Sequence, residues 1–240
     1  MDLSRPGYLL AELIYRTGNL VLAGLTTVLY RRSVSKPSRI GIVRTGNLGD
    51  TFCAIPAIRA IQAAYPRARL ILLTAKKREG LPHPAGVLAG IIQFDGFCYF
   101  DCDRLRRPRY LRRFIRELRS EKIDLLIYLG YSIHWHVLIR DAVFYRIAGC
   151  RSAAGFVWDK HKFFRISQRK HKVFNNSVER LMNLLRPLGI SSRPVNWDIP
   201  SPILAVKLLK NEARPLLAIH PGAKFPVNRW PLKNFIEVVG

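Results

Sequence analysis

Arg39-Ile-Gly-Ile-Val-Arg-Thr-Gly-Asn-Leu-Gly-Asp50 begins as an aliphatic run and ends in two glycines and an acid. Residues 39–45 read as a strand buried on both faces, because their hydrophobicity is nearly continuous instead of alternating. Gly46 and Gly49 then form a tight turn, and residues 51–65 read as helix. Pro56 either kinks that helix or marks its true first turn. In an open α/β sheet, ligands bind where a strand passes through such a turn into a helix. Glycine lets the backbone approach a ligand, and the first amides of a helix are free to bind an anion. A distant echo stands at Ala218-Ile-His-Pro-Gly-Ala-Lys224. Two such junctions imply two nucleotide-fold domains across a cleft. Only the first carries an acid, Asp50, so it points to chemistry and the second to anion binding.

Working outward, residues 70–74 read as a second strand and 91–94 as a third, with a Pro- and Gly-rich loop over 76–90 between them. Residues 109–120 form an amphipathic helix. Its apolar face holds Tyr110, Leu111, Phe114, Ile115 and Leu118; Arg109, Arg112, Arg113 and Arg116 form the other. Strands are expected at 123–129 and 153–156. Helices are expected at 137–147, ended by Gly149, and at 178–188, closed by Gly189. Residues 160–172 are basic and aromatic without a clear period. Three prolines in 191–202 mark the best domain boundary. Beyond it come a helix at 204–211, a strand at 216–220 and a helix opened by Trp230-Pro231. Alternating strands and helices mean a parallel sheet of βαβ units. The expected layout is a hydrophobic and basic arm with linker (1–38), a first Rossmann-like domain (39–190), a linker and helix (191–213) and the start of a second domain (214–240).

Forty Lys+Arg against sixteen Asp+Glu give a net charge of +24. Charge of that size requires an anionic partner: nucleic acid, an acidic lipid surface or a phosphorylated substrate. The arginine run from 104 to 119 can grip phosphates, but no recognition-helix, RNP or zinc-finger pattern accompanies it, which argues against nucleic acid. Cys53, Cys98, Cys102 and Cys150 lack a disulfide framework, and no second ligand pair at zinc spacing joins Cys98 and Cys102. His134 and His136 can ligate a metal, yet a lone pair at a strand end is more often structural. No metal is expected, and a reducing cytoplasmic compartment fits. In the arm, residues 17–30 are uncharged and Arg31-Arg32 follow. That run is short of the roughly 20 apolar residues needed to span a bilayer. Two readings stand: a helix lying on an anionic membrane, or a helix packed on the globular core.

Gly46-x-x-Gly49-Asp50 is neither the dinucleotide fingerprint nor a P-loop. Asp50 is either a helix N-cap or a general base at the cleft edge, aimed at an incoming hydroxyl. At the second junction, amides around Gly222 and Ala223, with Lys224 and Arg229, can hold a pyrophosphate. The plainer alternative there is an ordinary turn with Trp230 packed as core.

Taken together these motifs resemble glycosyltransferase family 9, the bacterial lipopolysaccharide heptosyltransferases. The resemblance rests on Ile40-Gly-Ile-Val-Arg-Thr-Gly-Asn-Leu-Gly-Asp-Thr51, Pro56-Ala-Ile-Arg-Ala-Ile61, Tyr65-Pro66, Lys122-Ile-Asp-Leu-Leu-Ile127, Ala153-Ala-Gly-Phe156, His220-Pro-Gly-Ala223 and Arg229-Trp-Pro-Leu232. It implies the GT-B fold, two Rossmann-like domains of which the second is incomplete in this chain, so that the chain alone is expected to transfer no sugar. It also implies an inverting transfer, without cofactor or obligatory metal. The donor is an ADP-sugar, ADP-heptose by the resemblance, and the acceptor lipid A–Kdo or core oligosaccharide. Asp50 then matches the family's proposed base, and Thr45, Gly46, Asn47 and Gly49 form the acceptor-side cleft loop. The place implied is peripheral, on the cytoplasmic face of the bacterial inner membrane. Asn228 stands where the family usually has lysine, which shifts phosphate binding toward Lys224 or Arg229. The competing readings are a non-catalytic binder of acidic glycolipid and a basic nucleic-acid-binding protein.

Overall fold

The computed structural model describes residues 6–30, 34, 36–46, 48–76, 84–130, 134–158, 176–191, 219–220, 222 and 229–239. Compactness divides the chain into Met1–Ile199 and Pro200–Gly240. In chain order the first unit contains α1 (Pro6–Leu29), β1 (Arg39–Val43), α2 (Leu48–Phe52), α3 (Ile55–Ala64), β2 (Arg69–Ala75) and α4 (Pro84–Ala89). Then follow β3 (Gly96–Phe100), α5 (Pro108–Ser120), β4 (Leu125–Tyr128), α6 (Trp135–Ile147), β5 (Ser152–Ala154) and α7 (Ser177–Asn183). The second unit contains α8 (Leu232–Val239).

The described strands form one sheet in the order β3-β2-β1-β4-β5, with every neighbouring pair parallel. The central strands are hydrophobic along their whole length because both of their faces are covered. Ile40 and Ile42, Leu70 and Leu72, and Leu125 and Ile127 point into one cluster with α3, α4 and α7. Val43, Ile71, Leu73, Leu126 and Tyr128 point into the other, with α1, α5 and α6. Successive side chains of a strand alternate between faces, so each strand feeds both cores. Each fully buried aliphatic side chain contributes about 1.5–3 kcal/mol.

Three expectations are corrected. Residues 84–89, read as loop, form α4; Pro84 suits a helix start, where its missing amide costs nothing. Residues 91–94 are not a strand: the amides of Ile91 and Ile92 close on Leu88 O at 2.8 and 2.7 Å, ending that helix. The strand comes slightly later, as Gly96-Phe-Cys-Tyr-Phe100 on the sheet edge, where Phe97 and Tyr99 stack at 6.0 Å. The helix expected at 51–65 is broken at Cys53 and Ala54, and Pro56 lies in the first turn of α3. Residues 160–172, 204–211 and most of 216–220 lie outside the described residues.

Helix α1 is packed on the core. Leu22 is fully buried, and Gly18 lies so close to Trp158 that a Cβ there would meet the ring at 2.7 Å. The Trp158 amide donates to Asn19 Oδ1 at 3.1 Å, and Tyr30 OH donates to Ala142 O at 2.6 Å. At the end of the helix, Arg146 Nε donates to Leu29 O at 2.7 Å, placing a cation on its carbonyl end.

The bottom of the sheet is clamped by Asp124. Its Oδ2 accepts from Ser38 N (2.9 Å), Ser38 Oγ (2.6 Å) and Arg39 N (3.0 Å), tying the start of β1 to the start of β4. Burial alone would raise this carboxyl's pKa, but the Ser38 and Arg39 hydrogen bonds and the Arg39 charge outweigh it and hold it below the usual value. A depressed folded-state pKa means stability that is present above the unfolded value, about 3.9, and lost as pH falls through the folded one. Asp124→Asn is therefore expected to lower the thermal midpoint near neutrality, with the gap from wild type closing as pH falls toward 3. A gap independent of pH would mean the carboxylate charge does nothing here.

Candidate functional site

The sheet order sets the site. The chain winds from β1 through β2 to β3 on one side, then returns to β4 and β5 on the other. The loop leaving the carboxyl end of β1 therefore opens at the switch point, where such sheets bind ligands.

That loop is built around a buried cation. The Arg44 amide donates to Leu73 O at 2.9 Å, and its side chain, 1% exposed, turns inward to donate from Nη1 to Leu129 O at 2.5 Å. A guanidinium is costly to bury, so its place is held by such bonds. Gly46 is the spacer of the turn. A Cβ on it would lie 3.1 Å from Asp50 Cβ, 3.2 Å from Arg44 Nη2 and 3.4 Å from Asp50 Oδ2. Arg44 and Asp50 thus flank one point of the turn, and a side chain at 46 would crowd both.

Asp50 is the third residue of α2, not its N-cap as one reading had it. There it faces the positive end of the helix, which favours a carboxylate. The side chain is exposed, whereas the next residue, Thr51, is fully buried and anchors the turn. Thr45 and Gly49 are exposed, Gly46 is half-buried, and Asn47 lies outside the described residues. An exposed carboxylate on a fixed turn is a group that can take a proton from a ligand.

The loop leaving β4 borders the same end of the sheet. Gly130 admits the Tyr128 ring, whose Cζ would lie 2.9 Å from a Cβ there. Tyr128 OH donates to Asp141 Oδ2 at 2.8 Å; burial first, then the Asp141 charge, push the phenol's pKa upward, so it stays a donor. At the start of α6 the exposed rings of His134 and His136 stack at 5.2 Å, with Trp135 exposed between them. Among the described residues no group of three or more His, Cys, Asp or Glu side chains could hold a metal. Sequence reasoning weighed the His134 and His136 pair as a metal site or, more often, a structural pair. The segment lies past the carboxyl end of β4, the strand beside β1. Burial raises Cys98 and Cys150 to about 12, leaving both as thiols.

In the second unit, Gly222 and Arg229 are exposed, while Ala223 and Lys224 lie outside the described residues. Trp230, expected as core in the plainer reading, is half exposed and meets Phe235 edge-on at 4.9 Å.

A family model, glycosyltransferase family 9 (heptosyltransferase), matches residues 111–240. No curated protein sequence matches the chain. Among solved structures, a glycosyl transferase family 9 protein from Veillonella parvula is 18% identical, with a TM-score of 0.56 over 84% of this chain and 58% of its own. The E. coli heptosyltransferase WaaC with ADP is also 18% identical, with a TM-score of 0.52 over 84% of this chain and 63% of its own. The same enzyme with ADP-2-deoxy-2-fluoro heptose gives a TM-score of 0.52 and 64% of its own length. The chain thus spans about three fifths of these structures, whose likeness at this identity speaks for the shared GT-B-type α/β fold. With the family model covering more than half of the 240 residues, the chain belongs to glycosyltransferase family 9.

Proposed function

We propose that the protein is an inverting glycosyltransferase that moves a heptose, or a related sugar, from an ADP-sugar to the lipopolysaccharide inner core, with Asp50 as general base. The observation that carries this reading is an exposed carboxylate, Asp50, in the first turn of a helix at the switch point of the parallel sheet, in a chain whose residues 111–240 match the family 9 model. The acceptor hydroxyl gives its proton to Asp50 as its oxygen attacks the anomeric carbon. The bond from that carbon to the diphosphate breaks on the opposite face, and ADP leaves with the electron pair. Attack and departure on opposite faces invert the centre. Thr45, Gly46, Asn47 and Gly49 form the loop that receives the acceptor. The departing diphosphate is stabilised by amides at Gly222 and Ala223 and by the charges of Lys224 and Arg229. The acceptor, lipid A–Kdo or core oligosaccharide, is anionic and membrane-borne. A chain of net charge +24 suits it, working on the cytoplasmic face of the bacterial inner membrane.

The test is a transfer assay of the full-length protein with ADP-heptose and a lipid A–Kdo acceptor, following ADP release and product mass together. Product with an inverted linkage is expected. Acceptor binding with neither transfer nor donor hydrolysis would replace this reading with that of a glycolipid-binding protein without turnover.

A further inference from the structure

Helix α1 has two apolar faces, and among the described residues only one of them is packed. The inner face is fastened by Gly18, Leu22 and the bonds of Asn19, Leu29 and Tyr30. On the other side, Leu10, Leu13, Ile14, Leu20, Val21 and Val28 are exposed, up to 73% for Leu20 and 85% for Val28. At 3.6 residues per turn these six positions fall within an arc of about 120°, opposite Leu22. Thr17 and Gly24 complete the arc, so it contains no charge along the helix. The charged residues of α1, Glu12 and Arg16, lie outside the arc and meet each other at 3.0 Å. Soluble monomers seldom expose so continuous an aliphatic stripe.

We propose that this stripe is the part of the protein that enters an anionic bilayer, with α1 lying flat in the interface. Crossing is ruled out by the helix itself: no described helix is long and apolar enough to span a membrane, and one side of α1 is already taken by the fold. A second copy of the chain is a poor occupant, because two bodies of net charge +24 repel. The same charge is attracted to anionic headgroups. Exposed Arg146 sits on Leu29 O at one end of the stripe, and in sequence Arg31 and Arg32 follow Tyr30. An interfacial helix combines these two ingredients, a buried apolar face and cations at the headgroups. Because α1 is bonded to the Trp158 amide and to the Ala142 carbonyl, the membrane would hold the first unit in one orientation instead of tethering it loosely.

The purpose of such a device rests on the reading of the acceptor as lipid-borne, but its test reads no turnover, so either idea can fail without the other. The protein is mixed with vesicles of phosphatidylethanolamine and phosphatidylglycerol, or of phosphatidylcholine alone, and sedimented. Binding to the anionic vesicles is expected, weakened but not abolished by salt. The combined substitution Leu13→Gln, Leu20→Gln and Val28→Gln should reduce partitioning by at least about tenfold with a nearly unchanged thermal midpoint, since glutamine keeps the helix and these side chains are mostly exposed, at 61%, 73% and 85%. Should the triple variant unfold early, Leu20→Gln and Val28→Gln are measured singly, each expected to lower partitioning by about threefold or more. Undiminished partitioning of a folded variant overturns the proposal. So does a wild-type dimer in solution that the substitutions dissolve, which would assign the stripe to a second copy.

Discussion

Asp50→Asn should leave the protein folded and reduce kcat by about 10² or more, the usual size of a general-base contribution. The substitution keeps shape and hydrogen-bonding capacity at an exposed position in the first turn of α2. What it removes from the fold includes the attraction between a carboxylate and the helix end, about 0.3–1 kcal/mol, and the negative charge that shares the turn with Arg44. What it removes from the reaction is the only role that requires ionisation: accepting the hydroxyl proton as the new bond forms. Thermal midpoint and kcat must be measured on the same preparation. A shift of a degree or two with a hundredfold loss fits the proposed base. Near-normal turnover in the stable variant would reduce Asp50 to a residue that complements the helix end.

The second large effect is structural. Gly155 follows β5 with φ of +93°, and a Cβ there would overlap the carbonyl oxygen of Tyr128, with the Tyr128 C and N atoms at 3.1 and 3.2 Å. Those neighbours are backbone of β4, pinned by its pairing with β1 and β5, so they cannot step aside as a side chain end could. Gly155→Ala is expected to cost about 3 kcal/mol or more: roughly 1–2 for the left-handed backbone, the rest for parting the two strands. Gly149 supplies the control. Its φ is +99°, but the nearest atom a Cβ would meet is Arg119 Cγ, at 3.4 Å on a flexible chain. Gly149→Ala should show only the smaller, conformational part. Denaturant unfolding of the two variants separates the contributions, and equal losses would show that the β4 backbone yields freely.

Much of this was legible in the amino-acid sequence where one physical demand dominates. Buried parallel strands must be hydrophobic throughout, so β1, β2 and β4 announce themselves. The edge strand β3 does not, because its exposed face leaves Gly96 and Phe97 in place of a continuous aliphatic run, and the more hydrophobic Ile91-Ile92 drew the reading instead. Asp50 was visible through the spacing of Gly46 and Gly49. Arg44 was not: a single arginine at a strand end has no pattern, and its burial depends on the carbonyl of Leu129, 85 residues later. The arm left two readings open for a similar reason. Hydrophobicity all around a helix says that both sides want cover, but not which side the fold supplies. Here the inner side has Trp158 and Tyr30 against it.

The strand order also governs how the molecule is made. β1 sits at the centre, yet one of its partners, β2, follows after a short helical connection, whereas the other, β4, is translated only after β3 and α5. At about 5–20 residues per second, the interval between finishing β3 and finishing β4 is on the order of seconds on the ribosome. During that time β1 offers a bare row of amides and carbonyls along one side, in a segment rich in isoleucine and valine. The nascent chain therefore passes through a period of vulnerability to wrong pairing, which ends only when Leu125–Tyr128 emerges and closes the gap.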